Sequence, residues 1–89
     1  MRRSVTVAVE EGLHARPAAL FVAEAGRLPV PVTIAKDGGP PVPAASILSV
    51  MTLGVRVGDV VALETAEESA AARVALDTLE SFLTTPVPG

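Results

Sequence analysis

From Arg3 to Val9 apolar and small or polar residues alternate, with Val5, Val7 and Val9 on one face and Ser4, Thr6 and Ala8 on the other. This period of two marks a half-buried strand. The alternation breaks at EEGLHARP, residues 10–17. There Gly12 permits a tight bend, and Pro17 suits the first turn of a helix, where a missing N–H costs nothing. A helix is expected to begin beside His14 and to run to about Arg27, with Gly26 near its end. Leu20, Ala23 or Glu24, and Arg27 or Leu28 are expected to mark its successive turns.

VPVTIAK reads as a second strand with Val30, Val32 and Ile34 on one face, closed by the turn signal Asp37-Gly38-Gly39. The following GPPVP is rich in prolines that cannot donate to a ladder, so a third strand there belongs on an edge or hardly pairs at all. Ser46 to Leu53 predicts a short helix, with Ser46 as its cap and Gly54 at its exit. DVVALE after Gly58 is a further strand. Ser69 then caps a last helix with Ala72, Leu76, Leu79 and Leu83 on one face and Arg73, Asp77 and Glu80 elsewhere. TTPVPG reads as a tail. The order of elements predicts a two-layer α+β sandwich, with helices over one face of a mainly antiparallel sheet.

Composition narrows the reading. Eighty-nine residues fit one domain, spanning 1–89, and hydrophobic residues at 49% with only two aromatics predict a core of small and branched aliphatic side chains. The absence of cysteine removes disulfides, thiol catalysis and cysteine-based zinc sites. Glu10 and Glu11 interrupt any apolar segment behind the two N-terminal arginines, so no export signal or membrane span is expected and the chain is assigned to the cytoplasm. With a net charge of −3 and seven basic residues that form no stripe, nucleic acid is not an expected partner.

The chemistry concentrates at the only histidine. The amides of a first helical turn have no internal acceptors, and the helix dipole adds partial positive charge, so the turn beside His14 suits an anion. Arg16 adds a cation able to bond phosphoryl oxygens, and a neutral imidazole offers one ring nitrogen as a nucleophile. Taken singly these residues are ordinary: a solvated His, a surface Arg and a helix-starting Pro. One histidine supplies too few ligands for a metal, and no spacing of acid and histidine reads as a hydrolase.

Together, GLHARPAALFV and AASILSVMTLGVRVGD resemble the two signature regions of the HPr family, the histidine-containing phosphocarriers of the bacterial phosphoenolpyruvate-dependent sugar phosphotransferase system. The resemblance covers nearly the whole chain. It implies an open-faced sandwich, with a four-stranded antiparallel sheet covered on one face by three helices. It implies that His14 accepts a phosphoryl group on Nδ1 from phospho-enzyme I and gives it to the IIA component of a sugar permease. Arg16 is then the phosphate-side cation, with the backbone of Ala15, Arg16 and Pro17 in support. The carrier binds no cofactor; phosphoenolpyruvate and Mg²⁺ are used by enzyme I.

The resemblance also gives Ser46 a second meaning. In some relatives this serine is phosphorylated by an ATP-dependent kinase, the HPr kinase/phosphorylase, and the product signals to a transcriptional regulator. Ala19, Arg27, Ile47, Leu48, Met51 and Thr52 are the candidate partner-binding residues. A monomer is expected. Compared with its relatives, the chain lacks lysines on the exposed side of the first helix, where Ala23 and Gly26 stand, and its third strand is unusually rich in proline. Two other readings are a carrier in a nitrogen-related relay and a regulatory module that binds through the Ser46 face. An enzyme acting alone ranks last, since no second acid–base group is identifiable.

Overall fold

The computed structural model describes residues 1–85. Its elements follow the expected order: β1 (Arg2–Thr6), α1 (Ala15–Gly26), β2 (Thr33–Lys36), β3 (Val42–Pro43), α2 (Ile47–Thr52), β4 (Val60–Glu64) and α3 (Ala70–Thr84). The four strands form one antiparallel sheet in the order β1-β4-β2-β3. In register, Val5 faces Val61 and Ile34 faces Leu63, so alternate residues of three strands send one apolar layer toward the helices. Val5, Ile34, Val61 and Leu63 are all buried. The opposite face, with Ser4, Ala35 and Ala62, is left open.

The strands are shorter than their patterns. β1 stops at Thr6 because its partner β4 begins only at Val60; beyond that point Val7 exchanges hydrogen bonds with Asp59 and Gly58 in a loop, and Ala8 donates to Leu83 O in α3. Val7 and Val9 nonetheless remain buried on the expected face. β2 starts at Thr33 rather than Val30, since Pro29 and Pro31 cannot join a ladder. β3 is a two-residue edge strand, as its prolines require. The turn after β2 closes with Gly39 N donating to Lys36 O, and Asp37 and Gly38 both have positive φ.

In α1 the core-facing positions are Ala18, Phe21 and Ala25, and Leu20 is 46% exposed. The residues that mark the turns, Leu20 among them, are thus not the buried ones, and the inward face, which the pattern leaves incompletely specified, lies one residue on. Phe21 takes the inward position, and its immediate neighbour is turned about 100° away from it. Phe21 is fully buried and meets Phe82 edge to face, with centroids 5.6 Å apart, so the few rings of the chain do contribute to an otherwise aliphatic core.

α3 buries Ala72, Leu76, Leu79 and Leu83 as its pattern predicts, together with Ala75. From its outer side Asp77 and Glu80 pair with Arg3 of β1. Ser69 Oγ accepts the Ala72 amide at 3.1 Å. The expected tail begins later than residue 84, because Thr84 still belongs to α3; residues 86–89 lie outside the described residues.

Candidate functional site

The segment that carries His14 is fixed from below. Leu13 is fully buried, and its amide donates to Val55 O at 3.0 Å. Gly12 has φ +64° and packs so closely on the same carbonyl that a Cβ there would lie 2.3 Å from Val55 O. Only glycine meets both demands. Leu13 and Gly12 thus hold the chain down, and the next residue, His14, faces solvent.

His14 is the N-cap of α1, with extended backbone (φ −120°, ψ 154°), and its side chain makes no capping bond. Ala15 follows with φ +46°, a conformation an L residue adopts only at a cost. In the first turn Ala18 N donates to His14 O and Pro17 has no N–H to offer. Among the described residues the amides of Ala15 and Arg16 have no acceptor. Two donors at the positive end of a twelve-residue helix are therefore open to solvent beside an exposed imidazole. Arg16 is exposed and, among the described residues, forms no ion pair, whereas Arg3, Arg27 and Lys36 do. This arrangement can take up an oxyanion without first breaking a bond within the protein.

The entrance to α2 is finished differently. Ser46 Oγ accepts the Ser49 amide at 3.4 Å and donates to Ser49 Oγ at 3.0 Å. Its hydroxyl is a working cap and only half-buried.

α2 packs against α1 and keeps only Val50 buried. Ile47, Met51 and especially Leu48, at 78%, are exposed and apolar. Ala19 and Thr52 are exposed too, although the Thr52 hydroxyl is turned back onto Leu48 O at 2.6 Å. Arg27 is exposed and 3.5 Å from Glu24, so its charge is partly matched within α1. Leu20 adds to the apolar surface of α1 and was missed by the sequence reading. The three- and four-residue spacing of Ala18, Phe21 and Ala25 carries that signal. No three His, Asp or Glu side chains are grouped to hold a metal ion, and no helix is long and apolar enough to cross a membrane, among the described residues.

Fold and site together describe a small α+β protein that offers one solvent-facing imidazole at a helix entrance to whatever docks there, the layout of a group carrier rather than of an enclosed pocket. The chain belongs to the HPr family, the phosphocarriers of the phosphotransferase system: the family model described as the PTS HPr component phosphorylation site matches residues 1–85. It is 49% identical to phosphocarrier protein HPr of Streptomyces coelicolor, over 91% of this chain and 85% of that protein. It is 46% identical to phosphocarrier protein HPr of Haloferax volcanii, over 97% and 96%. Among solved structures, HPr from Bacillus anthracis superposes with a TM-score of 0.85 at 38% identity, covering 93% of this chain and 95% of that one.

Proposed function

We propose that this single domain takes a phosphoryl group onto His14 from phospho-enzyme I and hands it to the IIA component of a sugar permease. The observation that carries the reading is the unfinished start of α1: an exposed imidazole beside two amides and a guanidinium that, among the described residues, have no acceptor and no ion-pair partner. In the step, the lone pair of Nδ1 attacks phosphorus, a P–N bond forms, and the bond from phosphorus to the donor's leaving atom breaks with its electron pair. Ala15 N, Arg16 N and the Arg16 side chain then face the phosphoryl oxygens, while Pro17 fixes the backbone that aims them. Return of the phosphoryl group to a IIA acceptor uses the same parts in reverse. The chain brings no cofactor to this exchange; phosphoenolpyruvate and Mg²⁺ act at enzyme I.

Ile47, Leu48 and Met51, with Ala19, Arg27 and Thr52, form the surface on which both partners dock in this scheme, in the cytoplasm and with the carrier as a monomer. Phosphorylation of Ser46 by an ATP-dependent kinase would set about two negative charges at the edge of that patch. Docking would weaken while the start of α2 tolerated the charge.

The test is incubation with phosphoenolpyruvate, Mg²⁺ and enzyme I, followed by intact mass before and after acid. Acid-labile label on wild type and none on His14→Ala is expected. Label that survives the substitution rejects the site. For regulation, ATP-dependent and acid-stable label is expected to vanish in Ser46→Ala, and an unchanged rate of transfer to Ser46→Asp would reject the interference with docking.

A further inference from the structure

Lys36 closes β2 opposite Val61 and therefore on the helix side of the sheet. Its ammonium donates to Gly54 O at 3.1 Å and lies 3.4 Å from Asp59 Oδ2. That same carboxylate oxygen accepts the Arg56 amide at 2.8 Å. One lysine thus ties together the two ends of residues 54–59, a segment that bends through Gly54 at φ +66° and Gly58 at φ +89°. Inside the tie sits Val55, fully buried, whose carbonyl accepts the Leu13 amide and meets Gly12.

The backbone before His14 therefore hangs on a carbonyl within a loop that Lys36 and Asp59 hold closed. Its backbone bonds are a turn within the loop, Asp59 N to Arg56 O at 3.1 Å, and contacts at its ends, where Gly58 and Asp59 exchange bonds with Val7 and Gly54 N donates back to Met51 O. Of the side chains, only those of Lys36 and Asp59 span it, among the described residues.

We propose that Lys36 and Asp59 are positioning residues for phosphoryl transfer, acting on His14 through the Val55 carbonyl and the Leu13 amide. The inference rests on the reading of His14 as the phosphoryl acceptor. Neither residue touches the phosphoryl group. The pair is part-exposed and contributes little to stability as a simple ion pair. Its effect is geometric, because transfer rates are sensitive to small displacements of the attacking atom. The Asp59 carboxyl is held below the usual Asp range, first by the hydrogen bond from the Arg56 amide and then by Lys36, consistent with a charged group engaged on both sides.

The test compares wild type with Lys36→Met, which keeps the aliphatic stem, and Lys36→Arg, which keeps a charged donor. Steady-state transfer from enzyme I and hydrogen exchange of the Leu13 amide are measured on the same samples. Lys36→Met is expected to lower kcat about tenfold, with KM within about twofold of wild type because the docking helices are untouched, and to speed Leu13 exchange. Lys36→Arg is expected to recover most of both. Asp59→Asn, which keeps an oxygen for the Arg56 amide, is expected to fall between them.

An unchanged kcat in Lys36→Met overturns the proposal even if the melting temperature drops, since that is the result of a purely structural tie. Failure of Lys36→Arg to recover kcat overturns it as well. If wild type carries no label on His14, the site reading falls and the positioning role with it; Leu13 exchange still shows whether the tie reaches the loop, so the two failures are told apart.

Discussion

Helices α1 and α2 both start at the surface on a residue with extended backbone, and their first turns are completed in opposite ways. Ser46 closes the start of α2 with its own hydroxyl. His14 leaves the start of α1 open, with Ala15 in an unfavourable conformation and two amides unmatched among the described residues. α3 follows the pattern of α2, with Ser69 as its cap. Two helices are thus finished for stability and one is left incomplete. An anion placed on the His14 ring can supply what a capping side chain would otherwise have supplied.

The comparison can be broken by exchanging the two kinds of start. The largest effect is expected beneath His14 rather than at it. Gly12→Ala drives a methyl into Val55 O and imposes positive φ on an alanine, so it should destabilise the fold by about 3 kcal/mol in urea titration. A loss under about 0.5 kcal/mol would mean that the loop does not seat the histidine as described. Next, Ser46→Ala should cost about 1 kcal/mol by removing a cap already in use, whereas His14→Ser should stabilise by less than that, since Pro17 has no amide three residues on and only the Arg16 amide is left for a serine to accept from. Both are read from denaturant midpoints. Equal losses from the two substitutions would erase the distinction between the helix starts.

The smallest effect is a pH dependence. The folded-state pKa of Asp59 is depressed, chiefly by the Arg56 amide and further by Lys36 and the Arg56 charge. The contribution of this carboxylate is therefore fully present above the ordinary Asp range and is lost as pH falls through the folded value below it. Asp59→Asn should flatten that part of the acid limb of a stability profile. A limb identical to wild type would show that the tie around residues 54–59 does not depend on charge.

Much of this was legible in the chain because it follows from local rules. Valines at every second position, serines one residue ahead of helices and Asp-Gly-Gly after β2 each act on their immediate neighbours, and the elements appear where they point. His14 and Arg16 were legible for the same reason: they lie within one turn of each other at a proline-marked helix start. The inward face of α1 was less so, because Leu20 and Phe21 are adjacent and both apolar, and the choice between them depends on how the helix rolls onto the sheet. The Lys36–Asp59 tie was not legible at all. It joins residues 23 apart in sequence directly and adds a bond to the Gly54 carbonyl, an acceptor that no residue type announces. The shortening of β1 depends likewise on where a distant partner strand begins.

The central claim is that the open amides at the start of α1 receive the phosphoryl group. Backbone amide spectra of the isotope-labelled protein, recorded before and after phosphorylation by enzyme I, test it directly. Large downfield shifts of the Ala15 and Arg16 amide protons are expected, with the Ser49 and Ala72 amides at the two serine-capped helices unmoved. A label confirmed on His14 that leaves Ala15 and Arg16 where they were would contradict the account.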